Sequence, residues 1–336
     1  MSEPCIQTIS VYGAGSWGTA LALQLARNNI EVLLWDFDAT HVAEYQAARE
    51  NIHYLAGIPF PDNLQCTDKI EDCIKHSHNQ LIVIPSHGFR QLLTQLSPLL
   101  SNQHNIIWAT KGLEIGTGKL LHEVVEETVG NEIPYGLVSG PTFASEVARG
   151  LPTAMTVAAT TEALSNSTAK AFQSGNFRVY TSDDILGVEL GGAVKNILAI
   201  AAGISDGLGF GANARAAIIT RGLAEIMRLG ESMGANPETI MGLAGIGDLV
   251  LTCTDDQSRN RRLGLALGKG LDTDAAIQEI GQAVEGAKSS SCINLLAQRA
   301  NVEMPICSVV HRIVHENLDP QVAVKELLAR HLRAEF

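Results

Sequence analysis

Residues 8–19 read TISVYGAGSWGT: a short apolar run breaks into Gly13, Gly15 and Gly18 at the GxGxxG spacing and then continues as the helical stretch ALALQLARN. Glycine at the first position permits a tight turn out of a strand. At the second it lets the backbone approach a pyrophosphate, and at the third it lets the following helix pack close to the strand. A helix starting there turns its unpaired N–H groups and positive dipole end toward the phosphates. A second strand pattern, EVLLW over 31–35, ends at Asp36. An acidic side chain at that point could take the ribose hydroxyls of a dinucleotide, or Asp36 or Asp38 could instead cap the next helix.

The other candidates are charged groups in apolar or glycine-rich surroundings. Lys195 and Asn196 lie in GVELGGAVKNILAIAA, residues 187–202, where Glu189 is the only other charged side chain. A helix apolar on every face is buried, and a buried ammonium commonly responds with a lowered pKa, which suits a general acid/base near neutrality. The alternatives are a lysine that snorkels outward or pairs with Glu189. Asp248 follows the glycine-rich GLAGIG and could hydrogen-bond a lysine or a substrate hydroxyl, or simply cap a helix. Behind Ser258 come Arg259, Arg261 and Arg262, whose planar forks suit a phosphate. For Arg261 and Arg262 a solvated basic helix face is the favoured reading. Lys111, in ATKGLE, and the turn 140–144, in SGPTFA, would lie beyond the carboxyl ends of strands, where open α/β sheets bind ligands.

Positioning these groups requires a regular scaffold. Strand patterns over 9–12, 32–35, 81–85, 106–109, 135–139 and 153–158 alternate with helical segments, which predicts a parallel sheet covered by helices on both faces. Residues 177–180 add an edge strand. From 183 onward the pattern is helical, with Asn236-Pro237 as an N-cap and first helical position. The expected domains are 1–186, binding a dinucleotide, and 187–336, helical.

Composition limits the partners. At 336 residues, 46% hydrophobic and 18% charged, the chain is expected to be a soluble two-domain protein. Its formal net charge of −12 disfavours a nucleic-acid or anionic-membrane surface, so an anionic substrate must meet a local basic cluster. No secretion signal is read at the N-terminus, and no apolar run is expected to reach a membrane span, because 191–204 is interrupted by Lys195 and Asn196. Cysteines at 5, 66, 73, 253, 292 and 307 form neither a CxxC pair nor a zinc spacing, which suggests reduced thiols in the cytoplasm. His76 with His78, and His311 with His315, lack a matching carboxylate or cysteine, so no metal site is expected.

Taken together and in order, GAGSWGTALA, ATKGLE, SGPTFASEVA, GVELGGAVKNILAIAAGISDGLGFGANARAAIITRGLAEI, GLAGIGDLVLTCT, SRNRRLG and AVEG resemble the bacterial-type NAD(P)-dependent glycerol-3-phosphate dehydrogenases over nearly the whole chain. The resemblance implies a Rossmann-type parallel-sheet domain followed by an all-helical domain like the C-terminal part of 6-phosphogluconate dehydrogenase. It also implies the interconversion of sn-glycerol 3-phosphate and dihydroxyacetone phosphate, supplying phospholipid synthesis, with NAD or NADP as cofactor and a homodimeric assembly. The implied cofactor positions are Ser16, Trp17, Lys111, Ala144, Arg259, Val284 and Glu285, to which the glycine spacing adds Gly13, Gly15 and Gly18 and the end of the second strand adds Asp36 and Phe37. The implied substrate positions are Lys111, Gly140, Thr142, Lys195, Asp248, Ser258, Arg259 and Asn260. Of these, Lys195 would carry the proton, Lys111 would polarise the carbonyl and Asp248 would orient Lys195. Thr142 replaces a serine common in the family and keeps the hydroxyl. Asp36-Phe37-Asp38 stands where bacterial relatives often have a basic or histidine side chain, which weakens the expectation of NADPH preference. The competing readings are another two-domain β-hydroxyacid-type dehydrogenase and a non-catalytic NAD(P)-sensing protein.

Overall fold

Short apolar runs bounded by turn residues form the strands of the first part of the chain: β1 Thr8–Tyr12, β2 Glu31–Trp35, β3 Leu64–Thr67, β4 Asn79–Ile82, β5 Asn105–Trp108, β6 Tyr135–Ser139, β7 Thr153–Ala159 and β8 Phe177–Ser182. The computed structural model describes residues 5–330. Two units divide the chain: Met1–Glu114 with Lys119–Glu189, and Ile115–Gly118 with Leu190–Phe336.

In the first unit the strands form one sheet in the order β3-β2-β1-β4-β5-β6-β7-β8. Its helices are α1 Ser16–Arg27, α2 Ala39–Ala48, α3 Ile70–His76, α4 Phe89–Leu96, α5 Leu121–Thr128, α6 Ala144–Ala148 and α7 Glu162–Phe172. Side chains alternate across each strand, so both faces of the sheet are used. Ile9, Val11, Ile107 and Ala109 join the buried cluster that includes α1. On the opposite face, the Ser10 hydroxyl donates to the Cys73 carbonyl of α3, and Trp108 meets Phe89 of α4 edge-on.

Two expectations from the pattern need correction. The sheet is not wholly parallel, since β7 runs antiparallel to β6 while β8 follows it in parallel. A parallel return would need a crossover to the other end of the sheet, whereas the segment joining β6 to β7 contains only the short α6. The second correction is β3, which was not expected. Leu-Gln-Cys-Thr is four residues long and sits at the sheet edge, too short for alternation to stand out. Residues 177–182 do form the other edge strand.

The second unit is helical. Its helices are α8 Ile185–Gly207, which enters this unit at Leu190, then α9 Gly211–Met233, α10 Pro237–Ile240, α11 Asp248–Thr254, α12 Arg259–Gly268, α13 Thr273–Ile280, α14 Glu285–Arg299, α15 Pro305–Glu316 and α16 Pro320–Leu328. The Asn236 side chain caps α10 by accepting from Glu238 N, with Pro237 at the first helical position. By length and hydropathy α8 does meet the description of a membrane span, with a mean hydropathy of 1.6, contrary to the sequence-based expectation; 89% of that window is buried inside the structure, as in a core helix. A buried carboxylate joins distant helices. The Glu225 carboxylate of α9 accepts from Ile306 N at 2.7 Å and Cys307 N at 3.2 Å, satisfying the first turn of α15. Burial raises this carboxyl above its usual range, although the two N–H donors oppose the shift.

What brings neighbours onto α8 is the absence of side chains. A Cβ on Gly191 would lie 2.6 Å from Ala244 O, in the π-helical turn Leu243–Gly247 that leads into α11. Cβ atoms on Gly203 or Gly264 would collide with the backbone of α12 or of α8. In the interior of an exposed helix, Gly→Ala gains roughly 1 kcal/mol. At Gly191 the overpacking cost, about 1–3 kcal/mol or more, should exceed that gain. We expect Gly191→Ala to lower the urea unfolding midpoint, while Gly175→Ala, whose Cβ would meet nothing within 4 Å, leaves it nearly unchanged. A Gly191→Ala chain as stable as the parent would show that the contact is not tight.

Candidate functional site

In the first unit β1 delivers the chain to the glycine turn. Gly13 has φ +110°, a conformation in which a side chain is strained, and its N–H donates to Trp35 O at 3.0 Å, tying the turn to the end of β2. A Cβ on Gly18 would strike the Gly13 carbonyl, so α1 begins hard against the turn. At Gly15 a Cβ would meet nothing within 4 Å. The turn is therefore closed on the protein side and open on the other, as a backbone cradle for a pyrophosphate requires. Ser16 opens α1, and its hydroxyl donates to Tyr54 O at 2.8 Å. Trp17 packs against the core beneath the turn.

Behind β2 the two aspartates have different surroundings. Asp38 is the N-cap of α2, accepting from Thr40 N at 2.8 Å, and this bond together with the nearby His41 holds its carboxyl below the usual range. Asp36 is buried and accepts from Asp38 N at 3.0 Å. Phe37 between them is 81% exposed. Capping thus falls to Asp38, while the Asp36 carboxylate accepts from the Asp38 N–H.

At the ends of β5 and β6 lie four more candidates, Lys111, Gly140, Thr142 and Ala144. Lys111 Nζ donates to Gly140 O at 3.3 Å, and Thr142 Oγ1 donates to the same carbonyl at 3.1 Å. Ala144 opens α6 just beyond.

The second unit holds the other charged groups. Lys195 is 7% exposed and Asp248 1%. Lys195 Nζ donates to Asp248 Oδ1 at 2.5 Å and to Thr252 Oγ1 at 2.9 Å. Asp248 is the first residue of α11, and Thr252 stands one turn later on the same face. That i, i+4 relation was readable in the sequence, yet Thr252 was not singled out. Glu189, the other suggested partner of Lys195, instead accepts from Leu121 N and meets His122 Nδ1 at 2.6 Å. Beside the lysine, burial pushes the Cys253 thiol up to about 12, so it offers no thiolate.

Asn196, the neighbour of Lys195, accepts from Asn260 Nδ2 at 2.9 Å, while Asn260 Oδ1 accepts from Gly286 N at 2.9 Å. This chain of amides joins α8, α12 and the start of α14, where Val284 is the N-cap and Glu285 the first residue. Ser258 caps α12 by accepting from Arg261 N. Arg259, next in line, is half-buried and reaches Gln282 Oε1 at 3.5 Å. Arg262 is exposed, as expected. Arg261 is not. It is 7% exposed, its Nη1 donating to Asp206 Oδ2 at 2.6 Å and its Nε to Asp256 Oδ1 at 2.9 Å. A long-range acid on α8, invisible from local spacing, draws it inward.

Chemically, the first unit offers a backbone cradle for phosphates and the second a buried ammonium held by a carboxylate and a hydroxyl. Comparisons with known proteins show the family. Residues 8–165 match the family model described as NAD-dependent glycerol-3-phosphate dehydrogenase N-terminus, and residues 184–325 match that described as the C-terminus. A protein of Thioalkalivibrio sulfidiphilus named glycerol-3-phosphate dehydrogenase [NAD(P)+] is 54% identical over 336 residues, 100% of both chains. One of that name from Aeromonas hydrophila is 52% identical over 97% of this chain and 98% of its own. The crystal structure of glycerol-3-phosphate dehydrogenase from Coxiella burnetii superposes with a TM-score of 0.94 at 50% identity, covering 97% of this chain and 100% of that one.

Proposed function

The chain belongs to the NAD-dependent glycerol-3-phosphate dehydrogenase family, and from that premise we propose which of its own residues carry the reaction. It is an oxidoreductase that interconverts sn-glycerol 3-phosphate and dihydroxyacetone phosphate with NAD(P)H, supplying phospholipid synthesis. The proposed division of labour gives 1–186 to the dinucleotide and 187–336 to the proton and the substrate phosphate. When bound, the nicotinamide supplies or accepts a hydride. The glycine turn with Ser16 and Trp17 would hold its phosphates, Asp36 and Phe37 its ribose end, with Lys111, Ala144, Arg259, Val284 and Glu285 as further contacts.

The observation that carries the reading is Lys195, held between Asp248 and Thr252 in a buried site. Lys195 gives a proton to the substrate oxygen in the reducing direction and takes it back in the other. Asp248 and Thr252 fix where the ammonium points. For Lys111, beside Gly140 and Thr142, we assign polarisation of the substrate carbonyl. Arg259, with Ser258 and Asn260, would bind the substrate phosphate, binding energy remote from the reacting carbon that helps to position it. Family membership also supports a homodimer in the cytoplasm, testable by sedimentation; six cysteines without a disulfide fit a reducing compartment.

Lys195→Met keeps the length and removes the proton. We expect kcat to fall at least ~10²-fold with cofactor binding retained, the usual scale for losing a general acid/base. Near-normal turnover would take Lys195 out of the mechanism.

Arg259→Gln should cost roughly 2–5 kcal/mol of transition-state binding for dihydroxyacetone phosphate, as when one partner of a buried charge pair is truncated. Activity toward unphosphorylated dihydroxyacetone should change far less, and Arg262→Gln should be nearly silent. Equal losses with both ketones would show that Arg259 does not read the phosphate.

The buried Asp36 carboxylate accepts ribose hydroxyls and repels a 2′-phosphate. Parallel initial rates should therefore show no strong preference for NADPH. A kcat/KM for NADPH exceeding that for NADH by more than ~100-fold would place Asp36 away from the ribose.

A further inference from the structure

The glycine turn is held from behind by a residue that no motif pointed to. Asn51 lies between α2 and β3 and is 0% exposed. Its Nδ2 donates to Ala14 O at 2.7 Å and to Thr19 Oγ1 at 2.8 Å, while its Oδ1 accepts from Tyr54 N at 3.0 Å. The first acceptor is inside the Gly-x-Gly turn and the second in the opening turn of α1. From the same short segment Tyr54 O accepts the Ser16 hydroxyl. On its far side the segment is anchored to α2, since His53 Nε2 meets Glu44 Oε2 at 2.5 Å and its ring lies 4.4 Å from that of His41.

We infer that Asn51 is a positioning residue for cofactor binding, pinning the phosphate turn and the start of α1 in one geometry. The inference rests on reading this turn as the dinucleotide site. A trans peptide is planar, and no cis bond occurs among the described residues. With the Ala14 carbonyl drawn toward Asn51, the Gly15 N–H must therefore point to the opposite side. The bond to Thr19 couples that orientation to the helix, so the N–H groups of the turn and of the helix start converge. No other uncharged side chain of similar size offers two donors and an acceptor in this arrangement. Leucine would leave the Ala14 carbonyl and the Thr19 hydroxyl without their donor, and aspartate would set a carboxylate oxygen against the Ala14 carbonyl.

The test uses the full chain and the variants Asn51→Leu, Asn51→Asp and Thr19→Val, the last removing one acceptor while keeping the shape. NADH is titrated by its fluorescence without substrate, and steady-state rates are measured with dihydroxyacetone phosphate. Unfolding midpoints are recorded alongside. Both Asn51 variants should raise the Kd and KM for NADH about tenfold, the equivalent of one or two hydrogen bonds. Thr19→Val should raise them about threefold. The kcat at saturating NADH and the KM for dihydroxyacetone phosphate should stay within about twofold of the parent. A fallen unfolding midpoint with unchanged NADH affinity would reduce Asn51 to a structural role and overturn the inference. If neither Asn51 variant folds, Thr19→Val decides alone, and an unchanged Kd overturns it. Failure of the parent itself to bind NADH would instead overturn the reading of the turn.

Discussion

Close approach of backbone to backbone around α8 is the constraint on which the second unit depends. Helices whose side chains intervene pack with axes 8–10 Å apart, and glycines on both partners remove that spacing. Gly191 admits the turn before α11, Gly203 and Gly264 admit α12, and Gly286 brings the start of α14 against Asn196. Each approach sets polar contacts between helices. The first brings Asp248 and Thr252 to Lys195, and the other two bring Asn260 to Asn196 and to Gly286. Side-chain chemistry at the site is thus a product of where side chains are missing.

A chain of net charge −12 nonetheless places its internal cations with care. Lys195 has Asp248, and Arg261 has Asp206, which also receives Arg215 at 2.7 Å. A buried pair of this kind is weak support for stability, because desolvation offsets much of the attraction. Its use is geometric: it fixes an ammonium or guanidinium at one point. The arginine at 259 differs in meeting no carboxylate among the described residues, its contact being a long one to Gln282.

Much of this was legible in the residues. Glycine spacing marked the turn, an apolar helix marked Lys195, and the change of pattern near 183 marked the helical second half, because each is a local periodicity or a local exception to one. What was not legible depends on contacts between distant segments. Arg261 sits in a basic run that looks solvated until Asp206 folds onto it. Asn51 is a single polar residue in a loop, and only its fully buried setting shows that its amide is in use. Thr252 is intermediate, since its spacing from Asp248 and a lysine partner for Asp248 were both visible, while the bond from that lysine to the threonine itself depends on how the two helices meet. The short β3 and the reversal of β7 escaped for a similar reason, as strand direction is a property of partners.

That reversal also bears on the order in which the first unit can assemble. Because β7 turns back beside β6, pairing Ser139 with Thr156 and Val138 with Val157 closes only a short loop, whereas β1 must wait for β4, with Ser10 opposite Gln80. Loop-closure entropy grows with the length enclosed, so the β6–β7 pair has the lower entropic barrier. The enclosed loop is the one bearing Gly140, Thr142 and α6. The loop carrying Gly140, Thr142 and α6 thus belongs to the more local pairing of the sheet, whereas the glycine turn follows a strand whose pairing with β4 encloses a much longer stretch of chain.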